Sequence, residues 1–365
     1  MRGPFAVALC ALSVLHFPTT AAGADIRVST LPERVLIERA GFDQRLNFDL
    51  VLRNDTPEAV EVSAVEARAY ARDGSLVSER RVTTNGGSVE TLNSRRAEPG
   101  GTIVLFNPFH TFAPDLELAE LRYEIALDAG GVSAKYRTEI VVRPEIYTTK
   151  TDLVLPVPGR LLCYDGPDLY GHHRRLDVTG GMTTALGITS NFMRYAYDFC
   201  VVDAKGKMYR GTGERNEDWY GFGADVLAPG AGTVVAVAND VRDNTLAERV
   251  PMSREDVMKN PRRLFGNYVT IDHGNGEVSF LAHLKYGSVP VRPGQKVRQG
   301  EQVGEMGFSG DAMNVHLHYQ LQRDAAFGEG LPARFRAFHR FAGAKPVPGR
   351  GHVDSGDVVE STFTR

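Results

Sequence analysis

The chain carries little net charge, few cysteines, no apolar run long enough to span a bilayer and, between residues 25 and 145, almost no histidine. Each shortage removes a class of function. With 42 Lys and Arg against 45 Asp and Glu, the formal net charge over 365 residues is −3. That gives no electrostatic case for nucleic acid or an anionic membrane as the main partner. The apolar run from Phe5 to Leu15 is too short to cross a bilayer. It follows Arg2 and leads to small residues ending Ala22-Gly23-Ala24, the pattern of a secretory signal cleaved after Ala24. The expectation is an exported chain, periplasmic or secreted, with no membrane span after cleavage. Cys10 lies in that leader, so Cys163 and Cys200 alone remain. An oxidising compartment allows them a disulfide, and two buried thiols are the alternative. Between residues 25 and 145 the only histidine is His110, so this stretch offers no catalytic cluster.

What is present reads as strand. The 38 glycines among 42% hydrophobic residues fit a loop-rich, mainly β chain of two modest domains. Leu46, Phe48, Leu50 and Leu52 alternate with Asn47, Asp49 and Arg53, and Leu121, Tyr123, Ile125 and Leu127 alternate with Arg122, Glu124 and Asp128. Turn signals such as Asp73-Gly74 and Gly130-Gly131 separate the runs. Residues 25–145 are therefore expected to form an antiparallel sandwich of immunoglobulin-like type, a binding or spacer module. A proline-bearing connector over residues 144–160 leads to a second β domain over residues 146–343. Residues 344–365, rich in Gly, Pro and polar types, are expected to form a flexible tail. Within residues 239–266, Ser253 is placed to cap a short helix ending before Pro261, either as a flap beside a site or as a surface excursion.

The chemistry concentrates at His316-Leu317-His318. In an extended strand His316, His318 and Gln320 face one side, a cleft, while Val315, Leu317, Tyr319 and Leu321 face a core. Imidazole is a common zinc ligand, and a catalytic zinc takes three protein ligands and keeps one open position. Asp198, in a strand-like run after Arg194, is a candidate ligand, and His283, closing the run Ser279 to Leu284, is a candidate general base. His273 reads as a turn residue, Tyr195 as a core tyrosine, and His339 and His352 as tail residues. Arg194 either binds a substrate carboxylate or pairs with a local acid.

Residues 190–322 resemble the M23 family of zinc metallopeptidases, the lysostaphin or LytM-like endopeptidases that cut peptide cross-links of bacterial cell walls. The resemblance rests on Tyr195-Ala-Tyr-Asp198-Phe199, Gly223-Ala-Asp-Val-Leu-Ala-Pro-Gly230, Gly266-Asn-Tyr-Val-Thr-Ile-Asp-His273-Gly274, Leu281-Ala-His-Leu284, Val291-Arg-Pro-Gly294, Gly300-Glu-Gln-Val-Gly304 and His316-Leu-His318, all in this order. It implies a groove across a small antiparallel sheet, a Zn2+ cofactor, and peptidoglycan peptide as substrate. It further implies Asp198 and His318 as metal ligands, with His283 and His316 as catalytic partners.

One position departs from the family pattern. The usual H-x-x-x-D would place histidine where Arg194 stands, and arginine cannot ligate zinc. Three readings stay open. His172 or His173 fills the vacancy, with His173 chosen because it directly precedes Arg174 and Arg175; exported chains with this arginine and an upstream His-Arg segment resemble a subgroup with a migrated ligand. Alternatively, the domain is a degenerate module that binds wall peptide or regulates another wall hydrolase. Or Cys200, two residues after Asp198, donates a thiolate, which a Cys163–Cys200 disulfide would exclude.

Overall fold

In the computed structural model, which describes residues 25–39, 43–84, 89–169, 171–343 and 345–364, the alternating runs become strands. The expected secretory signal lies outside these residues. Among them no helix is long and apolar enough to cross a membrane.

The N-terminal strands form three sheets. Ile26–Leu31, Asp49–Asn54 and Thr102–Phe106 make one. Val132–Val142, Glu120–Ala129, Val60–Tyr70 and Leu76–Thr83 make the main path of the second. The third joins Glu145–Tyr147, Leu36–Arg39, Gln44–Leu46 and Thr111–Phe112. All three feed one apolar core, in which Leu46, Phe48, Leu50 and Leu52 meet Leu121, Tyr123, Ile125 and Leu127. Burying side chains of this kind is worth about 1.5–3 kcal/mol each, which is what the period-two pattern supplies. The opposite side of the same strand departs from expectation. Asn47 is 9% exposed and Asp49 is 0% exposed, because the C-terminal part of the chain covers them. Asn47 donates to the carbonyls of Pro167 and Arg194 at 3.1 and 3.3 Å.

The C-terminal part is built on a 12-stranded sheet. Its centre runs Arg160–Asp165, Tyr197–Val201, Leu317–Gln322, Val278–Leu284, Asn267–Asp272 and Gly232–Ala238, each antiparallel to the next. One face packs a core that contains Val315, Leu317, Tyr319 and Leu321 with Leu281, Val269 and Tyr197. The other carries a smaller cluster of Ile188, Phe192, Phe265, Tyr268, Phe280 and Ala282. The site lies on this second face.

Two expectations need correction. Of the expected tail, residues 345–364 are described and are not loose: Lys345–Gly351 pairs with Phe335–Ala342, and Val358–Ser361 pairs with both that strand and Arg160–Asp165. The Gly and Pro content hid a strand whose Val359 is fully buried. His352 accordingly sits inside the protein, 3.4 Å from Glu38. The connector is also part of the sheets, since Glu145–Tyr147 runs parallel to Leu36–Arg39 and Leu153–Val154 parallel to Phe335 and Arg336.

Candidate metal centre

Two strands in register create the centre. Tyr197–Val201 lies antiparallel to Leu317–Gln322 with Asp198 directly opposite His318, so a carboxylate and an imidazole project together from the same face. His318 Nδ1 is 3.1 Å from Asp198 Oδ1. Its Nε2 meets Gln320 Oε1 at 2.9 Å. An Nε2–H donated there leaves the Nδ1 lone pair directed at Asp198. His316 Nε2 is 3.4 Å from the same Asp198 oxygen, and its Nδ1 lies 3.0 Å from the Asn314 carbonyl.

His283 arrives by a different route. It sits in a β-bulge, since the register with the neighbouring strand slips between Ala282 and Leu284. Its φ is 59°, unusual for a residue with a Cβ. Alternation alone would aim His283 away from its neighbour Ala282, which is opposite His318. The bulge instead brings its ring within 4.8 Å of the His316 ring and 5.9 Å of the His318 ring, centroid to centroid. Its Nδ1 contacts the Ser309 carbonyl at 2.8 Å. Gly310, with φ +73°, makes that carbonyl position possible, because a Cβ there would lie 2.3 Å from the Gly266 amide nitrogen.

Beside Asp198, where Arg194 offers no ligand, lie the strand Arg160–Asp165 and the 3-10 turn His173–Arg175. His173 is 5% exposed. Its Nε2 is 3.7 Å from Asp198 Oδ2, and its ring centroid lies 4.7 Å from that of His318. On the opposite edge, Nδ1 lies 2.6 Å from Asp165 Oδ2. A carboxylate behind the imidazole is the usual arrangement behind a metal-binding histidine. Sequence reasoning missed Asp165. The signal available was an acid shortly upstream of the paired histidines, at the end of a strand.

His172 and Cys200 stand differently. His172 Nδ1 also contacts Asp165, at 2.8 Å, but its side chain is 72% exposed. Cys163 and Cys200 are both free and buried. Burial first, and then the Asp198 charge, push the Cys200 thiol up, which opposes a thiolate, and Cys200 does not line the groove. Arg194 is 0% exposed. It pairs with Asp49 at 2.8 Å and with Glu329, so it does not point into the groove. Tyr195 is a buried core residue. His273 bridges the Ala231 carbonyl and the Ser279 hydroxyl, and His110 and His339 lie outside the groove.

Electrostatics separate the groups. Burial opposes ionisation of Asp198, but His173 and His316 outweigh it and hold the carboxyl well below the usual range. Burial likewise opposes the Asp165 ion, and hydrogen bonds from His172 and His173 overcome it. Burial, helped by His316 and His318, drives His283 well below its ordinary value, so this imidazole is neutral. Burial also lowers His318. His316 is raised, because Asp198 overcomes its burial. The groove around these groups is walled by Leu176, Met182, Ile188, Phe192, Leu264 and Phe265. Phe265 ends the 239–266 segment and lies 5.2 Å from the His318 ring. The Ser253-capped helix of that segment spans Arg254–Lys259.

Residues 218–328 match the sequence model of peptidase family M23. By this segment the chain is similar to peptidase family M23. The matched M23 segment contains His283, His316 and His318, whereas Asp165, His173 and Asp198 precede it. Over 113 residues the chain is 33% identical to the cell division protein DipM of Caulobacter vibrioides, covering 31% of this chain and 15% of that protein. Over 65 residues it is 40% identical to the peptidoglycan DD-endopeptidase ShyA of Vibrio cholerae, covering 18% of this chain and 15% of that protein. The chain thus spans well under a fifth of these relatives' length. The catalytic domain of lysostaphin from Staphylococcus simulans aligns at 16% identity over 38% of this chain and 73% of that one, with a TM-score of 0.25, a likeness too slight to carry weight.

Proposed function

We propose that this chain is an exported zinc metallopeptidase that hydrolyses peptide bonds in bacterial peptidoglycan, with zinc held by His173, Asp198 and His318. The observation that carries the reading is the convergence of His173 Nε2 and His318 Nδ1 on the two oxygens of Asp198, at 3.7 and 3.1 Å. Ligand bonds of about 2.0–2.1 Å in a tetrahedron put neighbouring donors roughly 3.3–3.4 Å apart, and the two measured separations straddle that spacing. Asp165, His172, His173 and Asp198 also cluster within 4.8 Å of one another. Asp165 suits a supporting role better, because its oxygens already serve both imidazoles and the amides of His172 and His173.

Bound zinc lowers the pKa of its water towards neutrality and polarises the scissile carbonyl. The protein's own groups do the rest. His283, neutral and with Nδ1 engaged at Ser309, has Nε2 available to take a proton from the attacking water and pass it to the departing amine nitrogen. His316, favoured in its charged form by Asp198, donates a hydrogen bond to the oxyanion that develops. Apolar side chains wall the groove around both. Similarity to a peptidoglycan DD-endopeptidase supports wall peptide as the substrate.

The test is zinc content and cleavage of purified cross-linked muropeptides. The wild-type chain should hold stoichiometric zinc and cut the cross-link, and His173→Ala and His318→Ala should each lose both. A zinc-free wild-type chain that still binds muropeptides would instead identify a non-catalytic wall-binding module. Retention of zinc by His173→Ala would remove His173 from the ligand set.

A further inference from the structure

The turn that carries His173 is too short to hold itself in place. His173–Arg175 is a single 3-10 turn, and such a turn has little intrinsic stability. Asp165 grips it on one side through the His172 and His173 amides. Asn191 donates to the carbonyls of His173 and Arg174, each at 3.2 Å. The remaining hold comes from the N-terminal sheets. Arg174, 3% exposed, donates from Nη1 to Asp49 Oδ1 at 2.7 Å and from Nη2 to the Phe48 carbonyl at 2.8 Å.

Asp49 has a second guanidinium on its other oxygen. Arg194 Nη1 donates to Asp49 Oδ2 at 2.8 Å, while Arg194 Nε donates to Glu329. Arg194 stands four residues before Asp198, the central carboxylate of the metal centre. One buried carboxylate therefore ties together the segments that deliver two of the three ligands. Neither arginine can release its proton, so the carboxylate between them has no neutral partner to fall back on. This is why Asp49, on the strand side where the sequence pattern expects solvent, is completely buried.

We infer that Asp49 is a positioning residue of the metal centre: through Arg174 it holds His173 against Asp198, so metal binding is coupled to seating of the N-terminal sheets on the M23 part of the chain. The inference rests on His173 as a ligand. Coupling is reciprocal: the seated N-terminal sheets tighten zinc, and zinc tightens the seat.

The experiment uses the full-length chain and zinc itself, with affinity measured by competition against a chromophoric chelator. Asp49→Asn keeps the side-chain shape and removes the charge. It should weaken zinc about 10- to 100-fold, the effect of losing a group that orients a ligand. Arg45→Met is the control, because Arg45 pairs with Asp354 at 2.6 Å across the same boundary without touching the centre, and it should leave zinc affinity unchanged. Equal losses in the two variants would overturn the specific role of Asp49, as would wild-type affinity in a folded Asp49→Asn. If Asp49→Asn does not fold, hydrogen exchange on the unmodified chain decides. Zinc should slow exchange in residues 46–54, and protection confined to residues 160–200 and 314–322 would overturn the coupling. A wild-type chain that takes up no zinc overturns the ligand set and the coupling together, whereas normal wild-type uptake with an indifferent Asp49→Asn overturns the coupling alone.

Discussion

Arg194 shows how one substitution is absorbed by its surroundings. The position that family resemblance assigns to a ligand holds a guanidinium with 0% exposure, compensated by Asp49 and Glu329. Burial raises the Glu329 carboxyl, and Arg194 works against that rise. Restoring the family pattern with Arg194→His should therefore not restore a site. It would leave Glu329 without its cation and Asp49 with only Arg174, and removing one partner of a buried pair costs about 3–5 kcal/mol. The expected result is a lower urea midpoint with no gain in zinc affinity; a stable, tighter-binding variant would contradict the account. Asp198, His283, His316 and His318 were legible because each belongs to a short motif with recognisable spacing. Asp49 was not, since its partners Arg174 and Arg194 are remote in sequence, and Asp165 was marked only by its place at a strand end shortly upstream of His172 and His173.

At the scale of elements, strand periodicity was readable and its interruptions were not. The alternation at residues 315–321 describes the observed faces, with Leu317, Tyr319 and Leu321 in the main core. The bulge that redirects His283 has no such signature, and its φ of 59° is a local cost sustained by the Ser309 contact and by packing. The loop from Asp165 to His173 is equally exacting. A Cβ on Gly171 would lie 2.0 Å from the Gly166 carbonyl oxygen, so this glycine is required by close backbone approach. Gly171→Ala should displace the turn, weaken zinc and leave the strand content unchanged; zinc titration beside far-ultraviolet circular dichroism checks this. The terminal strands were missed because Pro and Gly in Lys345–Gly351 suit an edge strand as well as they suit a tail.

Across the whole molecule, the buried histidines set the response to acid. His110, His273, His283 and His318 are all held below the ordinary 6.5, mainly by burial. A histidine whose folded pKa is depressed stabilises fully above its unfolded pKa, and that contribution is lost as pH falls through the folded value. His172 and His316 are raised and act in the opposite sense, but His172 is largely exposed and its effect is screened. In chelator-treated protein the urea midpoint should thus fall as pH drops below about 6.5. It should fall again below about 4, where Asp165, Asp198 and Asp354, all held low, take up protons. A midpoint flat from pH 7.5 to 5 would refute the assignment of neutral buried histidines. By itself the sequence determined the β character, the apolar cores and the set of imidazoles near Asp198, because each depends on local periodicity or a short motif. Only the tertiary structure decided which upstream histidine lies beside Asp198 and His318, and that Asp165 and, through Arg174, Asp49 contact its turn. Those placements depend on strands and turns far apart in the chain meeting in one buried, low-dielectric site, where each charge must find its partner.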